Sequence, residues 1–95
     1  MEPKIRLRSL EEYIREGLGV LEVDNDRVEA RITIHLDPYG ETVNFTIKGR
    51  IMGEYVVLEK YLVEIGGNVY ERPSDELEAW VEFIEERYGG GAYPS

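Results

Sequence analysis

His35 is the chain's single histidine, and there is no cysteine. Nucleophilic triads and zinc centres draw on those two residue types, so both chemistries lose their usual groups. His35 falls on the polar side of an alternating run, where a solvated or cross-strand role opposite Asn44 is the ordinary one. Asp24, Asp26, Asp37 and Glu41 are of the type that binds magnesium. They fall in turns at opposite ends of one strand, about ten residues or some 33 Å apart, and cannot converge in one subunit. Gly89 to Gly91 lack the lysine and hydroxyl of a phosphate loop and follow a helix instead of opening one. We therefore expect no enzyme activity, no metal site and no cofactor.

What remains is a set of cations and rings at strand spacing. Arg27, Arg31, Lys48 and Arg50 share one side of two alternating runs, with Glu29 as the only acid there. With the following strand in the register set by the Gly53-Glu54 turn, Tyr55 and Tyr61 join them, beside Met52, Val57 and Val63. Cations for phosphates and ring faces for unstacked bases are what a single strand of nucleic acid needs. The N-terminal cations Lys4, Arg6 and Arg8 are the next candidates. This pattern predicts sequence-independent binding of single-stranded DNA, and the residues do not distinguish DNA from RNA. Two other readings stay open. Arg31 and Lys48 can instead pair with Glu22, Glu29 and Glu59 as a solvated ion-pair ladder. The same sheet face can serve as an oligomer interface in an assembly module with no nucleic-acid role, since exposed apolar patches mark association.

The elements that must position these residues are legible from periodicity. Ser9 and Glu12 form a capping box ahead of Leu10, Tyr13 and Ile14, which predicts a short helix over about Leu10 to Arg15. Arg27 to Leu36 alternates strictly and reads as a half-buried strand. A second run, with Val43, Phe45, Ile47 and Ile51 on its apolar side, follows the turn residues Asp37 to Glu41. Pairing by residue numbers that sum to 79 sets Ile34 opposite Phe45, Ile32 opposite Ile47, Arg31 opposite Lys48 and Glu29 opposite Arg50, with Pro38 to Glu41 as the loop. Leu21 and Val23 pair with Ala30 and Val28 through a turn at Asn25-Asp26. Gly53-Glu54 is a two-residue turn joining Met52 to Tyr55. The strand from Tyr55 to about Ile65 competes with a helix in which Leu58, Tyr61, Leu62 and Ile65 line up, and β-branched content favours the strand. Val69 to Arg72 can add a fifth. Ser74 caps a last helix with Leu77, Trp80, Val81, Ile84 and Tyr88 on one stripe.

The fold class expected is α+β: an antiparallel β-meander of four to five strands with an N-terminal and a C-terminal helix packed on one face. Residues 1–88 form one domain and 89–95 a flexible tail, because 95 residues cannot sustain two cores. Eleven basic against twenty acidic residues give −9, which repels nucleic acid unless the charge is segregated. The acids gather on the two helices and the first turn. No apolar run suits a membrane span or a signal peptide, and the absence of cysteine fits a reducing compartment, so a cytoplasmic protein without a membrane partner is expected. The lack of glutamine, and charge carried mostly by Glu and Arg, suggest a hyperthermophile.

The helix opening Ser-Leu-Glu-Glu-Tyr-Ile, a meander whose central strand carries Arg27 and Arg31 in an Arg-x-x-x-Arg spacing, and the amphipathic C-terminal helix together resemble the ThermoDBP-related proteins. These are single-stranded DNA-binding proteins of hyperthermophilic archaea. The resemblance covers most of residues 5–88 and lies in element order and character. It implies sequence-independent single-strand binding in a basic and aromatic cleft, helped by homo-oligomerisation.

Overall fold

The computed structural model describes residues 2–17, 19–36 and 40–88. Lys4–Arg6 forms β1, Leu7–Glu16 forms α1, and Gly19–Asp24, Arg27–Leu36, Glu41–Met52, Tyr55–Ile65 and Asn68–Arg72 form β2 to β6. A 3-10 turn over Ser74–Leu77 leads into α2, Glu78–Tyr88. The molecule is an α+β domain, an antiparallel six-stranded sheet with both helices on one face. The strand order is β1-β5-β4-β3-β2, and β6 shares the outer edge of β5 with β1. The 89–95 tail lies outside the described residues.

Turn chemistry fixes most of the pairing. Asn25 adopts a left-handed φ of 56° in the β2–β3 turn, which sets Leu21 opposite Ala30 and Val23 opposite Val28 as expected. Met52 pairs with Tyr55 across the Gly53-Glu54 turn, and the following segment is strand, not helix. The β3–β4 register differs from the expected one by two residues. Pairs sum to 77, so Ile32 faces Phe45, Ala30 faces Ile47, Glu29 faces Lys48 and Arg27 faces Arg50. Both registers keep apolar residues on one side. Gly40 separates them: its φ of +68° makes it the left-handed residue immediately before β4, a position that Glu41 would have to fill in the alternative. His35 accordingly lies opposite Thr42, with Nδ1 3.3 Å from the hydroxyl, while Asn44 pairs with Thr33.

A bulge in β5 has larger consequences. Leu58 pairs with Gly49 and Lys60 with Lys48, leaving Glu59 as the extra residue. Alternation therefore changes phase between Leu58 and Lys60. Val56 and Leu58 point to the core, and so do Tyr61, Val63 and Ile65, which face Ile47, Phe45 and Val43. Gly49 permits the distortion, since a Cβ there would lie 2.5 Å from the Val57 carbonyl oxygen.

The core lies between sheet and helices. Ile5, Ala30, Leu58, Val56, Leu10 and Ile84 are essentially inaccessible. Ser9 is buried inside α1 and does not cap it: its hydroxyl sits 3.5 Å from the Tyr88 carbonyl at the end of α2. The helix starts earlier than the capping box suggests because β1 delivers it, the Leu7 amide donating to the Glu54 carbonyl at 2.9 Å. Ser74 makes no side-chain cap either; Pro73 precedes the 3-10 turn. Trp80 and Tyr88 pack on the core half-buried, with Tyr13 edge-on to both rings at 5.5 and 6.1 Å. Among the described residues, no helix is long and apolar enough to cross a membrane.

Candidate nucleic-acid interface

Because the helices cover one face, the polar positions of the strands form the other. Register places Arg27, Arg31, Lys48 and Arg50 together on this outer face, as the alternation indicates. Lys60, directly opposite Lys48, joins them through the bulge, and Lys4, opposite Val57, joins them from β1. Tyr55 lies on the same face beside Met52, and its ring stacks under the Lys4 ammonium at 4.9 Å. Arg6 is paired with Tyr55 across β1–β5 and reaches Glu85 at 3.8 Å. Hydrogen bonding to Tyr55, then the Tyr55 and Glu85 charges, hold its guanidinium above the usual arginine range.

Two expectations are corrected. Tyr61 and Val63 belong to the helix side, because the Glu59 bulge reverses their direction. Tyr61 stacks on Phe45 at 6.2 Å and lines a groove of about 240 Å³ with Tyr13, Trp80, Ile34 and Glu76. Burial, with the nearby Glu76 carboxylate, raises its phenol above the ordinary value. Arg8 stands exposed on α1, in the helix layer and apart from the outer-face cations.

The acids of the outer face interleave with its cations. Arg31 pairs with Glu22 and, at 3.3 Å, with Glu29; Lys48 lies 3.8 Å from Glu29, and Arg50 3.4 Å from Glu59. This is the ladder that the sequence left open as an alternative. All these groups are a third or more exposed, so each pair contributes only about 0–1 kcal/mol and its cation can exchange partners. Three like-charge pairs nevertheless face each other across the strands: two of cations, Arg27 with Arg50 and Lys48 with Lys60, and one of carboxylates, Glu22 with Glu29. Counted by register, the outer face holds seven of the eleven cations against six carboxylates, which leaves the rest of the molecule at −10. A shallow depression of about 310 Å³ runs between Arg27, Lys48, Glu22 and Glu59.

Sequence reasoning named Lys4 without a strand to hold it, and it missed Lys60. A three-residue strand is too short for periodicity to register, and Lys60 is visible only once the adjacent polar residues Glu59-Lys60 are taken as a break in alternation. No protein-family model, curated protein or solved structure matches the chain.

Proposed function

We propose that the protein binds single-stranded nucleic acid, DNA in the first instance, without sequence preference, through the outer sheet face. The observation that carries this reading is the double juxtaposition of like charges, Arg27 opposite Arg50 and Lys48 opposite Lys60. Like charges directly opposite each other destabilise a sheet. A phosphate between them turns that repulsion into two charge-assisted contacts, and the exposed pairs to Glu29 and Glu59 are weak enough to be displaced. Tyr55, held by Lys4, supplies one ring on which a base can lie. The helix layer, with most of the negative charge, keeps the strand on one surface. Such a role agrees with the ThermoDBP-related proteins that the chain resembles.

Fluorescence anisotropy with labelled oligo-dT at low salt tests the proposal. Replacing Arg27 and Arg50 by glutamate should weaken binding at least tenfold and flatten the dependence on log salt by about 0.7 for each phosphate no longer neutralised. Failure of the wild-type protein to bind at tens of micromolar, or an unchanged salt slope in the variant, rejects it.

A further inference from the structure

Where the 3-10 turn enters α2, a groove of about 240 Å³ lies between the two helices and β3 to β5, on the sheet face opposite the cation face. Its walls are aromatic. Tyr13 stands perpendicular to Trp80 with ring centres 5.5 Å apart, so the two helix-borne rings make a corner. Phe45 and Tyr61, within 19° of parallel, make a flat wall on the strands. Isoleucines of β3 and β4 and Leu77 complete the apolar lining. Among the described residues, Glu76 is the one charged side chain that lines the groove. Arg72, the cross-strand partner of Tyr61, is not part of the lining; its Nε donates to Glu76 Oε1 at 3.0 Å.

We propose that this groove binds a small free trimethylammonium compound, its methylated cation against the rings and beside Glu76, independently of any nucleic acid. The negative faces of aromatic rings attract a cation, most strongly where water is excluded. Methylation decides between cations. A primary ammonium brings three N–H donors that need acceptors, and this lining offers little beyond one carboxylate and phenol hydroxyls, whereas a trimethylammonium has no donor to leave unpaired. An anion is disfavoured by Glu76 and by the chain's net charge of −9. Volume decides the size: about 240 Å³ lies below the roughly 300 Å³ at which pockets for drug-sized ligands begin, so the groove takes a head group with a short tail. The Arg72–Glu76 pair does not cancel the preference for a cation. Its side chains are 51% and 41% exposed, so the pair is weak and open to exchange. At the Tyr61 phenol, whose pKa is raised first by burial and next by the Glu76 carboxylate, that carboxylate outweighs the opposing Arg72 guanidinium.

Trp80 is the chain's only tryptophan and lies in the groove wall, so its fluorescence reads occupancy directly. Titration of the full chain with choline at constant ionic strength should change that fluorescence with a dissociation constant on the order of 0.1–1 mM, as fits a ligand of few atoms. The neutral analogue, with carbon in place of the quaternary nitrogen, should bind at least about tenfold more weakly. Glu76→Gln should weaken choline binding about fivefold, and Arg72→Gln, which frees the carboxylate, should tighten it at least about twofold. Tyr61→Phe keeps the ring and should stay within about twofold of the parent. Circular dichroism of the Glu76 and Arg72 variants should match the parent, since both side chains are exposed. No fluorescence change up to about 50 mM choline overturns the proposal. Equal affinity for the neutral analogue does so too, leaving an apolar groove without charge recognition, as do unchanged affinities in Glu76→Gln and Arg72→Gln. A trimethyl-lysine peptide that binds more than about tenfold tighter than choline overturns the free-compound assignment and gives the groove to a methylated protein.

Discussion

Tyr61 shows how one side chain's environment depends on a residue two positions away. Its ring stacks on Phe45 under the helix layer because Glu59 is an extra residue in β5 and Gly49 leaves room for the bend. Burial raises the phenol's pKa, so the folded state favours the neutral form more than the unfolded chain does. The sign follows from linkage: the unfolded state releases the Tyr61 proton first, near its ordinary value of about 10, so this contribution to stability is complete below that pH and is lost as pH rises through the higher folded value. The wild-type melting temperature should therefore drop more steeply above about pH 10 than that of Tyr61→Phe. Parallel alkaline profiles for the two proteins would contradict the burial assigned to the phenol. His35, by contrast, is where the sequence placed it, on a polar strand face, with only its partner changed from Asn44 to Thr42.

At the scale of elements, what the sequence revealed depended on whether a local rule was unique. Asn25-Asp26 and Gly53-Glu54 admit one tight turn each, and the pairings around them are those expected. The β3–β4 register had two solutions equal in apolar matching, and Gly40's left-handed backbone selects the one two residues away. β1 escaped notice because Ile5 is its single apolar residue, although that side chain is wholly buried against β5. Ser9 and Ser74 carried capping signals that tertiary structure overrode, one hydroxyl turning to Tyr88 and the other following Pro73. The β5 bulge was legible in principle, as Glu59-Lys60 between two apolar alternations of opposite phase. Deleting Glu59 would remove only the extra residue: Lys60 would follow Leu58 directly, opposite the adjacent Lys48 and Gly49, and Tyr61, Val63 and Ile65 would stay on the helix side. Inserting an alanine between Lys60 and Tyr61 would instead drive those three side chains to the outer face. Thermal unfolding followed by circular dichroism should show that insertion grossly destabilised or unfolded, whereas Glu59→Ala, which removes only an exposed ion pair, should cost no more than about 1 kcal/mol. Similar melting of the insertion and the parent would mean that alternation past the bulge does not set the face of β5.

At the scale of the whole molecule, the sheet separates two kinds of surface. One face gathers most of the cations with Lys4-capped Tyr55; the other carries the helices and the half-exposed Tyr70. The sequence indicated the cation face correctly for Arg27, Arg31, Lys48 and Arg50, because strict alternation fixes sides without fixing register. It placed Tyr55 on that face as well but not Tyr61, because the bulge lies between them. We propose nucleic acid on the cation face alone. Amide chemical-shift mapping of isotope-labelled protein titrated with oligo-dT at low salt tests the assignment most directly. The largest perturbations should fall on Arg27 to Arg31, Lys48 to Arg50 and Tyr55 to Lys60, and should fade with added salt. No perturbation at millimolar oligonucleotide, or shifts confined to the groove around Trp80 and Tyr61, would contradict it.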